Sequence, residues 1–480
     1  MDKKNLIDEL VRIVGIENVF HEPEDLVTYQ YDAYLSRAMP DFVVFPTTTE
    51  QVSEILKVAS REKVPFVARG AGTGISGGAI PVKGGMVVAL SRMNKILEID
   101  LENRRARVQP GVINLDLSHA IKDKGFHYIP DPASQQSCTI GGNVAENAGG
   151  PHCLAYGVTT NHVLGLTVVL PNGEIIHTGG KALDYPGYDL TGLLVGSEGT
   201  LGIVTEIIVR IEHRPEAVKT LLASFSNMLD AAKTVSAIIA SGTIPAALEM
   251  MDKPAIEAVE AFAHAGYPVE AAAVLLIELE GLKDGMDRLA KKIVEICQSH
   301  KAIEVKVAQN EQERMQLWKG RKCAAGAIGR ICNKYYLHDC VVPRNKLVAV
   351  LSEIYQIAEK YQVQVANVFH AGDGNLHPLV PMDMSDRDQV ERALRAGDEI
   401  LKCCIQAGGT LSGEHGIGLE KNELMPLIFN EADLNAMKKV KAVFNPEDLC
   451  NPGKIFPTPG RCLEVMQRPR KGELNTRVLT

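Results

Sequence analysis

The 480-residue sequence predicts an α+β protein of two successive domains, and three observations carry that prediction. Up to about residue 213, short apolar runs alternate with glycine turns and only occasional helix. From about 214, helical stretches alternate with strands, the pattern of strand pairs joined by crossover helices. The length, at roughly 150 residues per domain, allows two or three units with sizeable cores. The predicted division is 1–213, 214–457 and a polar tail over 458–480.

Leu6, Leu10, Val11 and Val14 recur at helical spacing, so residues 3–14 are predicted as an amphipathic helix. After Pro46, Thr48 and Gln51 form a capping-box pattern ahead of a buried face of Val52, Ile55, Leu56 and Ala59. Strands are predicted over 64–69, 84–90 and 106–109. In the second unit, helices are expected near 227–241, 284–300, 346–361 and 386–406. Strands are expected near 218–225, 271–280, 303–308, 335–342 and 363–369. Asn445 to Gly453 closes that unit.

A net charge of −8 and a pI near 6.0 exclude a basic nucleic-acid footprint. The basic cluster Arg468-Pro-Arg-Lys471 reads as a solvated end. The ten cysteines include no Cys-x-x-Cys pair, so neither a zinc ribbon nor an iron–sulfur cluster is indicated, and reduced, mostly buried thiols are expected. The N-terminal residues lack the apolar core of an export signal, and no run approaches the ~20 apolar residues of a membrane span. A soluble, cytoplasmic protein is the expectation.

Gly72-Thr-Gly-Ile-Ser-Gly77 fits the dinucleotide fingerprint and follows a strand, yet Pro81 and the pair Gly84-Gly85 forbid the helix that a Rossmann turn must open. The loop is either a nest of backbone N–H groups for an anion, with Arg69 at its mouth, or a plain glycine turn. Two further segments resemble it. Pro130-Asp-Pro132 leads through Ser137 and Thr139-Ile-Gly-Gly-Asn143 to Gly149-Gly150, and Gly196-Ser-Glu-Gly-Thr-Leu-Gly-Ile203 surrounds one carboxylate with small residues. Three such segments in order suit close approach of backbone to a large flat ligand.

The ordered set Arg69-Gly-Ala-Gly-Thr-Gly74, Pro130-Asp-Pro132, Thr139 to Asn143, Tyr156-Gly157 and Gly196 to Ile203 resembles the vanillyl-alcohol-oxidase-type FAD domain. The resemblance is closest to the glycolate oxidase D subunit and D-lactate dehydrogenase branch, and it runs from about residue 20 to 457. It implies a two-subdomain, PCMH-type FAD-binding domain. An α+β (ferredoxin-like) substrate or cap domain would follow, with a C-terminal segment returning to the flavin. By the same resemblance, Arg69, Gly70, Ala71, Gly72, Thr73 and Gly74 cradle the pyrophosphate. Pro132, Ser137, Gly141, Gly142, Asn143, Glu198, Gly199 and Ile203 line the flavin, and Asn451 approaches it. No histidine lies in either glycine loop, so dissociable FAD is expected, although His152 and Cys153 follow closely.

In the second unit, His370-Ala-Gly-Asp-Gly-Asn-Leu-His377 follows an apolar strand, and a glycine turn there would bring both imidazoles to one side. Glu414 and His415 sit among glycines in Gly408 to Gly418. Two histidines and a carboxylate are a metal set with room for substrate, or else turn histidines held by hydrogen bonds. The resemblance implies the former: His370, His377 and Glu414 holding Zn²⁺, Mn²⁺ or Fe²⁺, with His415 as general base. The substrate would be a small D-2-hydroxy acid such as D-lactate or glycolate, giving hydride from Cα to flavin N5. Its carboxylate needs a cation, for which Arg321, Lys334 and Arg344 are candidates. Arg321 matches the family's substrate arginine, and Trp318 supports the match. Asp373 and Asn375 read as turn residues.

With no cluster motif in the chain, the electrons need an outside acceptor. The family implies an iron–sulfur subunit, an electron-transferring flavoprotein or a quinone. Rival readings are an NAD-linked Rossmann enzyme, a metal-dependent hydrolase, a silent electron-relay subunit and a non-redox flavin synthase of the same fold.

Overall fold

The computed structural model describes residues 3–182, 186–330, 332 and 334–458. The predicted tail beyond Thr458, with its basic cluster, lies outside them. The described chain forms two compact units: one runs to Gly149, resumes over Val158–His213 and again from Glu414, and the other comprises Gly150–Gly157 and Arg214–Gly413.

The first unit holds two main sheets. One orders its strands Val19–Phe20, Phe42–Val44, Met86–Ala89, Phe66–Arg69, the last three mutually parallel. Every residue of Phe42–Val44 and Met86–Ala89 is buried, as suits continuous apolar runs in a parallel sheet covered on both faces. Leu6, Leu10 and Val14 of helix Lys3–Val14 join Val52, Ile55 and Leu56 of helix Thr49–Glu62 in its core. The predicted capping box is half present. Thr48 accepts from the Gln51 N–H, but the Gln51 side chain reaches back to the Thr47 N–H, one residue early.

The other sheet is antiparallel, in the order Ile96–Asp100, Arg105–Val108, Ile203–Arg210, Val163–Val169, Ile175–Gly179. Ile203–Arg210 alternates buried and half-buried residues, the period of a sheet with one covered face. The two sheets are the two subdomains expected. The chain's last described stretch completes the first: Phe66 donates to the Leu449 carbonyl (2.8 Å) and accepts from the Asn451 N–H (2.7 Å), forming a parallel bridge on the strand edge.

The second unit begins as a ferredoxin-like fold. Strands Ala217–Phe225, Ala247–Asp252, Ala273–Gly281 and Ala302–Val307 lie in the spatial order fourth, first, third, second, all antiparallel. Helices Met228–Ala240 and Met286–Ser299 make the crossovers, and Lys253–Ala263 is an additional helix between the middle strands. The sheet extends through Ala366–His370, Asn375–Leu376 and Cys340–Val341. Strand Ala247–Asp252 and helices Lys253–Ala263, Glu311–Ile328 and Glu431–Phe444 went unpredicted. The single strand expected near 335–342 is two, Lys334–Leu337 and Cys340–Val341. The break falls at His338-Asp339, where the chain leaves its partner Pro378–Met382 and joins Asn375–Leu376. Nine cysteines are free among the described residues, six of them buried.

Candidate functional site

In the first unit the glycine segments divide by what surrounds them. A Cβ on Gly70 would lie 2.3 Å from Thr139 Oγ1, and one on Gly141 would lie 2.5 Å from Pro110 Cβ, so here the chain packs against itself. A Cβ on Gly74 or Gly199 would meet nothing within 4 Å. These loops therefore present bare backbone to open space, the surface that a nucleotide's phosphates and flat rings require. No helix follows the Gly70–Gly78 loop, which excludes a Rossmann turn. Arg69 is buried rather than free at the mouth: Nη1 donates to the Tyr31 carbonyl (2.7 Å), and the guanidinium lies 5.6 Å from the Tyr29 ring centre.

Thr139 caps helix Ile140–Glu146 by accepting from the Gly142 N–H at 3.2 Å. Asn143 is buried and accepts from Asn114 Nδ2 at 2.9 Å, while Ile203 is buried at the start of its strand. Ala71 and Ser137 are exposed; Thr73 and Pro132 are half-buried. Glu198 holds a left-handed backbone (φ 52°), and its carboxylate accepts from the Ile417 and Gly418 N–H groups, both at 2.7 Å. Asn451, also left-handed, donates to the carbonyls of Gly78 (2.9 Å) and Glu198 (2.7 Å), so it ties two of the loops together. Lys454 is fully buried beside it, donating to Ile80 O (2.7 Å) and Asn451 Oδ1 (2.9 Å); burial lowers its ammonium to about 8. Burial, then repulsion from Glu198, pushes the Glu146 carboxyl well above the usual range.

In the second unit the glycine turn after strand Ala366–His370 brings His370 and His377 together. Both are buried, with ring centres 5.2 Å apart and nearly perpendicular planes. Each offers a ring nitrogen within 4.8 Å of the other's. Asn375 donates its N–H to Asp373 Oδ1 (3.1 Å), the turn role expected of that pair. Asp339 Oδ1 lies 3.5 Å from His377 Nε2, and its other oxygen accepts from Ser412 Oγ (2.6 Å) and the Gly413 N–H (3.0 Å).

Glu249, which the sequence reading missed, faces His370 across the sheet. The two residues are direct partners in adjacent antiparallel strands, and both carboxylate oxygens approach His370 Nδ1, at 2.8 and 3.0 Å. Arg321, on helix Glu311–Ile328, donates from Nε to the same carboxylate at 2.6 Å. Burial alone would raise Glu249, but His370 and Arg321 outweigh it and hold the group below the usual carboxylate range. Its signal in the sequence is a lone acid inside the apolar run Ala246-Ala-Leu-Glu-Met-Met251. Of the other cation candidates, Arg344 is exposed and donates to the Gly372 carbonyl (3.1 Å), while Lys334 is a half-buried strand residue.

Comparison with known proteins bears on both units. Residues 40–179 match the model of an FAD binding domain, and residues 214–455 match that of the FAD linked oxidases, C-terminal domain. The glycolate oxidase subunit GlcD of Escherichia coli is 46% identical over 94% of this chain and 91% of its own. The chain belongs to the FAD-linked oxidases. A D-lactate dehydrogenase of Anaerostipes hadrus is 34% identical over 89% of this chain and 92% of its own. Among solved structures, p-cresol methylhydroxylase with substrate bound shares the fold, with a TM-score of 0.80 at 17% identity over 94% of this chain and 96% of its own. The chain is thus a flavoprotein oxidoreductase with a PCMH-type FAD-binding fold.

Within this FAD-linked oxidase, the remaining residues singled out in the sequence fall on either side of the unit boundary. Glu414 and His415 begin the first unit's last segment, with 3.7 Å between Glu414 Oε1 and His415 Nε2. His152 and Cys153 belong to the short segment that joins the second unit. There the His152 ring stacks on Trp318 at 5.6 Å, and its Nε2 lies 3.4 Å from Glu278 Oε1. Glu278 is buried in mid-strand and also accepts from Trp318, Thr220 and Arg314. Trp318 is therefore an anchor of this carboxylate. No described helix is long and apolar enough to cross a membrane.

Proposed function

We propose that the chain is a dehydrogenase of small D-2-hydroxy acids, of the D-lactate or glycolate type, that passes its electrons to a protein partner. The observation that carries the reading is the buried pair His370 and His377, with Nδ1 of the first occupied by Glu249 and its Nε2 therefore the ligand nitrogen. Two imidazoles and a carboxylate suit Zn²⁺, Mn²⁺ or Fe²⁺, and Glu414, directly after Gly413 in the chain, is the third ligand. The names of the two relatives, a glycolate oxidase subunit and a D-lactate dehydrogenase, support the substrate class.

A bound metal would supply Lewis-acid polarisation of the substrate hydroxyl, and bound FAD would supply the hydride acceptor. Arg321 pairs with the substrate carboxylate through its Nη edge, because Nε is committed to Glu249. His415 takes the hydroxyl proton, for which an imidazole is suited near neutral pH. FAD is held without a covalent bond by Arg69 to Gly74, Pro132, Ser137, Gly141 to Asn143, Glu198, Gly199, Ile203 and Asn451. The engagement of His152 with Trp318 and Glu278 supports that view. The word subunit in the relative's name favours a partner, and an iron–sulfur subunit or an electron-transferring flavoprotein has the required chemistry.

The test is anaerobic bleaching of the flavin band near 450 nm with D-lactate, L-lactate, glycolate and D-2-hydroxyglutarate, before and after chelation. Fast bleaching by a D-acid or glycolate that chelation abolishes is the expected result. A yellow protein that none of the four bleaches overturns the reading and favours an electron-relay subunit.

A further inference from the structure

We propose that Glu249 is a positioning residue of the metal centre, fixing the tautomer of His370 and the attitude of Arg321 through one carboxylate. The inference rests on the reading above that His370 and His377 hold a divalent ion.

An ionised carboxylate only accepts hydrogen bonds, so His370 Nδ1, at 2.8 and 3.0 Å from its two oxygens, carries the hydrogen. The lone pair of the neutral ring is then on Nε2, and the ring plane is set by two contacts rather than one. Glu249 and His370 are 1% and 5% exposed, so water does not compete for these bonds. The register makes the contact obligatory: Glu249 pairs with His370 as Met250 pairs with Phe369, and the Gly372 N–H donates to the Leu248 carbonyl on the next position.

The same carboxylate accepts from Arg321 Nε at 2.6 Å. The guanidinium is a rigid planar fork, so a bond at Nε fixes the direction of the Nη edge. Nη1 and Nη2 take no protein acceptor among the described residues. One acid thus sets the relative attitude of a ligand imidazole and a carboxylate-binding fork, a separation that the hydroxyl and carboxylate of a 2-hydroxy acid must match.

A buried counter-ion for Arg321 would be the plainer role, and metal affinity separates the two. The flavin-loaded protein is stripped with chelator and titrated with Zn²⁺ against a chromophoric competitor, as wild type, Glu249→Gln, Glu249→Asp and His370→Ala. Glu249→Gln is expected to bind Zn²⁺ about 10- to 100-fold more weakly, the usual cost of losing a ligand's hydrogen-bond partner, and Glu249→Asp to fall between it and wild type. Unchanged Zn²⁺ affinity in Glu249→Gln, with only the melting temperature lowered, overturns the inference and leaves the metal reading standing. Should Glu249→Gln not fold, Glu249→Asp keeps the charge facing Arg321, and wild-type affinity there overturns the proposal equally. Wild type and His370→Ala binding Zn²⁺ equally poorly would instead remove the metal reading and this inference with it.

Discussion

The two units prepare for their ligands by opposite means. In the first, Gly74 and Gly199 leave backbone bare to open space, Gly70 and Gly141 let the chain pack closely on itself, and a few buried groups such as Asn451 and Lys454 tie the segments together. In the second, polar side chains are driven into a sheet core: Glu249 beneath His370 and Arg321, Glu278 beneath Trp318, Arg314 and His152. Backbone recognition of a common cofactor needs space, whereas recognition of a small acid needs fixed charges. In both units the buried charges carry a desolvation cost that their partners must offset, Lys454 in the first and Glu249 and Glu278 in the second.

Replacing the proposed base, His415, breaks the comparison most directly. His415→Ala is expected to slow anaerobic bleaching by about 10²- to 10⁴-fold at unchanged flavin content. A rate near wild type would remove that residue from the chemistry. Glu278→Gln tests the buried charges of the second unit alone. With Arg314 left facing a neutral amide, a loss of about 3–5 kcal/mol is expected. Trp318, the only tryptophan, donates to this carboxylate and reports the transition by its emission. The pH dependence has a definite sign. Burial would raise Glu278, but the hydrogen bonds of His152 and Arg314 overcome it and hold the carboxyl far below the usual range. Its contribution is therefore complete above the unfolded value of about 4.3 and is lost as the pH falls below it. The variant should lack that acid-side slope, and an identical slope would deny Glu278 the role. The smallest effect belongs to the backbone-built unit: Thr139→Ala removes one helix cap and should cost about 1 kcal/mol with flavin retained. Loss of flavin in that variant would show that the hydroxyl beside Gly70 does more than cap.

Features made by neighbours in the chain were legible in the sequence. The loops around Gly72 and Gly199, the turn between His370 and His377, and four second-unit helices were visible because glycine spacing and the 3.6-residue period are local signals. The glycine pair Gly141-Gly142, read as a turn, lies instead in helix Ile140–Glu146. Glu249 was not legible, because its partner His370 is 121 positions away and is chosen by strand register. Strand Ala247–Asp252 was missed for a related reason: buried at every position, it shows no alternation. Helix Glu311–Ile328 buries Leu317, Trp318, Arg321 and Ala324 but carries charged residues through the same turns, so its apolar stripe is faint. Arg321 was singled out by resemblance, whereas its carboxylate partner Glu249 is set by tertiary packing alone.

The bridge between Phe66 and the segment from Leu449 to Asn451 has a consequence for the ribosome. The strand Phe66–Arg69 is synthesised long before the stretch that closes its edge, which lies several hundred residues further along the chain. Until then the nascent chain carries an open parallel edge, and the lysine and asparagine that tie its loops together are still unsynthesised. Assembly of the cofactor-binding unit therefore waits, by topology, for the segment from Leu449 to Asn451. A stop codon anywhere before Leu449 should yield a colourless chain that depends on chaperones, however much of the glycine-rich region it contains.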